Sequence, residues 1–230
     1  EFEIIAGNPK EVVNSTLKKY RARINNLTSQ IGAEVGWIKK ILEEKIGIED
    51  INSELTALER KASLAESDED YSSIMGNLSM MIIPSSLKKS STMNFPVLLN
   101  TEAINFDYLA EYDGDYLANS SEEIDVYKNA ILKWHSENME VSADYYTFSA
   151  NYDESIEPVL TYYKLKITAL DPKDEEAYLI ISSNANVNPQ ETIKEFGDAV
   201  GIRFSKLENR EIEFVSDEAN PLLLEVYIAP

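Results

Sequence analysis

The hydrophobic positions of the first forty residues form a narrow repeating stripe. Leu17, Ile24, Ile31 and Ile38 stand seven residues apart, and Tyr20, Leu27 and Ile41 fill most of the intermediate positions. The average spacing of 3.5 residues is that of a seam by which one helix packs on another. Asn8 offers a capping side chain and Pro9 a pre-set first helical residue, so the pattern predicts one helix over 9–46. At 1.5 Å per residue such a rod is about 57 Å long, more than a small domain is wide. Gly32 and Gly36 each weaken it by about 1 kcal/mol relative to alanine, which points to close approach of a partner backbone.

Gly47 ends the pattern, and Ile51, Leu55, Leu58 and Ala62 then share one face of a second helix over 48–65. The short break predicts a helical hairpin; the rivals are a continuous rod pairing with copies of itself and an ordinary core helix. Because the hairpin leaves much of the first helix uncovered, Leu17, Tyr20, Ile24, Leu27, Ile31, Ile38 and Ile41 are read as an assembly seam.

Further on the pattern changes. Residues 67–71 read as a polar, acidic linker, and 74–100 as strand, loop and strand broken by Pro84 and Pro96. Ser120-Ser121-Glu122-Glu123 has the form of a capping box. Ile124, Tyr127, Ile131 and Trp134 follow at helical spacing, which predicts a helix over 121–137. Residues 139–150 and 159–170 alternate as strands do, with a turn at Asp171-Pro172-Lys173-Asp174 and another strand at 177–183. Asn188-Pro189 opens a second short helix carrying Ile193, Phe196 and Val200 and closed by Gly201; strands at 202–207, 211–216 and 222–228 follow.

The predicted class is α+β: an N-terminal long helix or coiled-coil-like helical hairpin, then a mostly antiparallel, sandwich-like body with two short helices. The predicted divisions are a helical stalk over 1–66, a linker with the first strands over 67–100, and an acidic, tyrosine-rich β domain over 101–230 with a candidate split near 157–160.

Charge narrows the function classes. The formal net charge of −20 over 230 residues repels phosphates, which excludes nucleic acid as partner and disfavours anionic membranes. Residues 101–160 hold 14 acidic side chains against 2 lysines, whereas 1–66 hold 11 acidic and 10 basic ones. The helical part can therefore associate without strong self-repulsion. The absence of cysteine removes disulfides, thiolate metal sites and cysteine nucleophiles. No signal peptide or membrane span is visible, so no membrane insertion is expected within this chain. A start at Glu1-Phe2 reads as a processed form or excised fragment, and Asn-x-Ser/Thr triplets at Asn14, Asn26, Asn77 and Asn119 permit a glycosylated exterior protein.

Candidate chemistry is sparse. His135 is the only histidine, no serine motif accompanies it, and the eight glycines form no phosphate-cradling loop. Asp107, Glu111, Asp113 and Asp115 around Gly114 form a candidate calcium loop, although their spacing is not that of an EF-hand; no other cofactor is expected. Carboxylates such as Glu111, Asp113 and Glu123 are also candidates for an acid–base pair in glycoside hydrolysis. Nine of the 13 tyrosines lie between Tyr108 and Tyr163, and Tyr112, Tyr116, Tyr146 and Tyr162 are the candidate recognition surface for a protein or glycan.

The resulting expectation is a non-enzymatic structural or binding protein of the cell surface or exterior. It would self-associate or hold a partner protein through the helical seam and recognise ligands through the tyrosine-rich body. A viral tail or fibre component and a carbohydrate-active hydrolase are the alternatives.

Overall fold

The computed structural model describes residues 8–97, 99, 101–102, 104–112, 114–182, 185–191, 193–196, 199–216 and 226–229. The chain is α+β, mixing helices with antiparallel sheet, and divides into two compact units. One comprises residues 1–88 with 149–159, the other 89–148 with 160–230.

The first unit begins with α1 (Pro9–Ile31), α2 (Gly36–Ile46), α3 (Ile48–Leu64) and α4 (Asp68–Met80). Asn8 caps α1 as expected, its side chain accepting from the Lys10 N–H at 3.1 Å. The single helix expected over 9–46 is two helices. At Gly32 the chain leaves α1, and tightened turns follow, with Ala33 N–H donating to Gln30 O and Glu34 N–H to Ile31 O. Among the described residues no other element of the chain brings its backbone against either glycine. A Cβ on Gly32 would meet the Thr28 carbonyl oxygen of its own helix at 3.0 Å, and one on Gly36 would meet nothing within 4 Å. Gly47 does end α2, adopting a left-handed φ of 71° that also launches α3.

The acidic linker expected at 67–71 is the start of a helix. The Ser67 hydroxyl accepts from the Asp70 N–H at 3.2 Å while the Asp70 carboxylate accepts from the Ser67 N–H at 3.0 Å, a reciprocal cap. Behind that cap Tyr71, Ile74 and Leu78 bury one face of α4.

These helices change the meaning of the stripe. α1 packs on α2, α3 and α4, and Val13, Leu17, Ile24, Leu27 and Ile31 are buried, as are Ile38 and Leu42 on α2. Tyr20 is half-buried and donates its hydroxyl to the Leu78 carbonyl at 3.2 Å; Ile41 is half-buried too. The side chains expected to join separate chains thus pack inside this one. The physical reason is α4, which supplies the third wall that a two-helix hairpin lacks.

The remaining elements are β1 (Ser86–Pro96), α5 (Phe106–Tyr112), α6 (Ser121–Asn138), β2 (Met139–Asn151), β3 (Ile156–Ala169), β4 (Ala177–Ser182), β5 (Ala185–Val187), β6 (Ile193–Phe196), β7 (Ala199–Phe204), β8 (Arg210–Ser216) and β9 (Val226–Ala229). They form a five-stranded sheet, order β1-β2-β3-β8-β5, and a four-stranded sheet, order β6-β7-β4-β9. The short helix expected after Pro189 is instead the β6–β7 hairpin, with Ile193 opposite Ile202 and Phe196 opposite Ala199. Its i, i+3 apolar spacing fits a helix equally well, and cross-strand pairing with β4 decides for the sheet. The strand expected before Pro84 belongs to α4, so the described residues of 74–100 contain one strand where two were expected.

Alternation along the strands builds two cores. Val141 and Ala143 of β2, Tyr163, Leu165 and Ile167 of β3, and Ile212 and Phe214 of β8 join Leu179 and Ile181 of β4 and Ile202 of β7 in one cluster. Ile180 points the other way and packs with Ile104, Phe106, Leu109, Tyr116 and Ile131. α6 thereby covers the second face of the four-stranded sheet.

Candidate functional site

The face of the five-stranded sheet opposite its core carries a polar and aromatic ladder. Because Tyr145, Tyr163 and Phe214 serve the core, period-two alternation puts Tyr146 and Asp144, Tyr162 and Lys164, and Glu213 on the other side. There the Tyr146 and Tyr162 rings stack at 5.6 Å, and Lys89 Nζ lies 4.8 Å from the centre of the Tyr146 ring. The Tyr162 hydroxyl donates to Glu213 Oε1 at 2.7 Å. Glu213 also pairs with Lys164 at 3.2 Å, its neighbour in register, and accepts from Asn188 Nδ2 at 3.1 Å. Asp144, only 3% exposed, accepts from Lys166 Nζ at 2.6 Å and from the Asn94 N–H at 2.8 Å. Asn94 reaches it from a left-handed φ of 52°.

The electrostatics follow from these bonds. The Lys166 ammonium, and next the Asn94 N–H, hold the Asp144 carboxyl below the usual carboxylate range, and burial opposes them only in part. Burial, followed by the bond to Glu213, drives the Tyr162 hydroxyl far upward, so it stays a neutral donor. The ladder's polar groups bond to one another, and of its two tyrosines expected on an open recognition surface Tyr146 is half-buried and Tyr162 is buried. Tyr162 is 4% exposed. Tyr116 is buried too, its ring 6.4 Å from Phe106 and 6.2 Å from Tyr127. The side chain of Tyr112 lies outside the described residues.

Asp144→Asn tests the ladder's energetics. The folded carboxyl titrates below its unfolded value of about 3.9, so its stabilisation is present above that pH and is lost as pH falls through the folded value. The variant should melt earlier than the parent at pH 7, and the gap should close as pH drops below about 4. A gap of equal size at pH 7 and pH 3 would show that the carboxylate charge contributes nothing.

The acidic candidates do not converge. Asp107 and Glu111 are exposed on α5, Asp115 is exposed in the following turn, and Asp113 lies outside the described residues. Among the described residues no group of three or more acidic or histidine side chains is gathered as a metal would need. Glu123 accepts from the Asn119 N–H and Ser120 from the Glu123 N–H, so Glu123 caps α6. A glycosidase acid needs a raised pKa. The described carboxylates with a shifted value, Asp70, Glu122 and Asp144, all move downward through hydrogen bonds to the charged form. His135 is half-buried and burial lowers its pKa; among the described residues no hydroxyl is hydrogen-bonded to its ring.

An open polar groove lies in the helical unit. A groove of about 640 Å³ runs between α1 and α3–α4, floored by Leu17, Ala62 and Tyr71. Lys10, Asn14, Lys18, Arg21 and Asn25 line its α1 wall, three or four residues apart and hence on one helix face. Arg21 is fully engaged: Nε and Nη2 clamp Glu59 at 3.0 and 2.6 Å, and Nη1 donates to Asn52 at 2.9 Å. That pairing raises the Arg21 pKa and neutralises Glu59, the only carboxylate in the lining among the described residues. The Tyr71 hydroxyl donates to Ala65 O at 3.0 Å. Lys10, Asn14, Lys18 and Asn25, by contrast, are exposed, and their side chains take no hydrogen-bond or ion-pair partner among the described residues. Sequence reading missed this region. The five-residue face was visible at helical spacing, but its opposite wall comes from α3 and α4.

No family model, curated protein or solved structure matches the chain. Among the described residues no helix is long and apolar enough to cross a membrane.

Proposed function

We propose that the chain is a non-enzymatic structural and binding protein acting outside the cytoplasm, with the groove of its helical unit as the recognition surface. The helices are then read as a hairpin extended by one further helix, and the two sheets as a sandwich. The observation that carries this reading is the contrast in polar groups. Those of the sheet ladder are bonded to one another, whereas Lys10, Asn14, Lys18 and Asn25 present donors with no partner among the described residues above an apolar floor. Unused donors over a concave apolar surface are what a binding site offers.

The test is capture from panels of glycans and of charged and neutral peptides on the immobilised chain. Ala22, exposed in the groove wall, is changed to Trp to fill the groove. Selective capture that disappears with Ala22→Trp supports the reading. Equal capture by both forms, or glycan hydrolysis abolished by Glu111→Gln or Glu123→Gln, replaces it.

A further inference from the structure

We infer that the groove docks an extended acidic polypeptide segment whose carboxylates are held by Lys10 and Lys18. The inference rests on the binding reading above and adds the chemistry of the ligand. Lys10 and Lys18 are eight helical residues apart, about 12 Å along the axis of α1. An extended chain advances about 3.3 Å per residue, so two of its carboxylates four residues apart span about 13 Å and reach both ammoniums. Asn14 stands between the lysines and Asn25 beyond them, each with an amide that can donate to and accept from a peptide backbone.

Charge selects the sign of the ligand. With Glu59 clamped by Arg21, the uncompensated charge of the lining is that of the two lysines, a local positive site on a chain of net −20. What complements the two lysines is a short run of carboxylates at close range, not the charge of a whole molecule, so the occupant is an acidic segment of a separate protein, and a second copy is an outcome of the test. Leu17, Ala62 and the Tyr71 ring beneath give the segment's aliphatic stems an apolar floor.

The experiment uses the full chain and a fluorescein-labelled decaglutamate, read by fluorescence anisotropy, with decaglutamine as the neutral control. Decaglutamate should bind, decaglutamine should not, and affinity should fall as sodium chloride is raised. The Lys10→Gln/Lys18→Gln variant should bind roughly tenfold more weakly or worse. Both lysines are exposed and have no ion-pair partner among the described residues, so the variant's circular dichroism and melting should match the parent's. No decaglutamate binding, equal binding by the variant, or equal binding of the two peptides overturns the inference. So does sedimentation showing a parent dimer that the variant converts to monomer, which would make the occupant a second copy. If decaglutamate fails but Ala22→Trp still abolishes capture of another panel member, the ligand chemistry falls and the binding reading stands.

Discussion

Leu27→Asp should unfold the helical unit. Leu27 is fully buried on α1, and removing its side chain alone costs about 2–5 kcal/mol. An unpaired carboxylate in an apolar site adds several kcal/mol more, so the total rivals the roughly 5–15 kcal/mol that holds a whole domain folded. Far-ultraviolet circular dichroism should show loss of helix, and Leu27→Ala should show a smaller shift in the same direction. The competing picture, in which the stripe joins separate chains, makes a different prediction: the mass in solution falls while helix content is kept. A variant that behaved so would place the stripe between molecules.

The second large effect is expected in the sheet unit. The Phe214 ring stacks on Tyr163 with centroids 4.8 Å apart and 12° between planes, and Phe214 is fully buried among side chains from both sheets. Phe214→Ala should lower stability by about 3–5 kcal/mol, combining lost transfer energy with the cavity left behind. Near-ultraviolet circular dichroism during urea unfolding, which reports the tyrosine environment, is the measurement. Phe214→Leu should lose less, because it refills most of the volume. An alanine variant as resistant to urea as the parent would remove Phe214 from the centre of that core.

Both predictions depend on burial, and burial is where sequence and structure part. The start of α1 at Asn8-Pro9, the break at Gly47 and α6 behind Ser120 were legible because each has a local cause: a capping oxygen, a fixed φ, or a left-handed turn. β2 and β3 were legible from alternation over a dozen residues each. β6 and β7 were not. Four to six residues are too few to separate the two periods, and the answer lay in β4, in a different part of the chain. α4 was hidden for a related reason: its acidic first turn reads as solvated loop unless Asp70 is recognised as half of a cap.

The candidate sites divide in the same way. The density of tyrosine brought Tyr146 and Tyr162 to attention, and they do stack, but Glu213 lies about fifty residues further on and turns Tyr162 into a buried donor. Lys10, Asn14 and Lys18 share a helix face by spacing alone, yet a groove requires the second wall.

Alone, the sequence determined what local chemistry determines: an α+β chain, the starts of α1, α3 and α6, the alternating strands, and the sign and placement of charge. Tertiary structure decided which apolar stripe is covered, which tyrosine is buried and which lysines stand exposed along a groove. Caps, turns and periodicity act between residues a few positions apart, so they can be read along one line. Burial and pairing depend on segments brought together only when the chain folds.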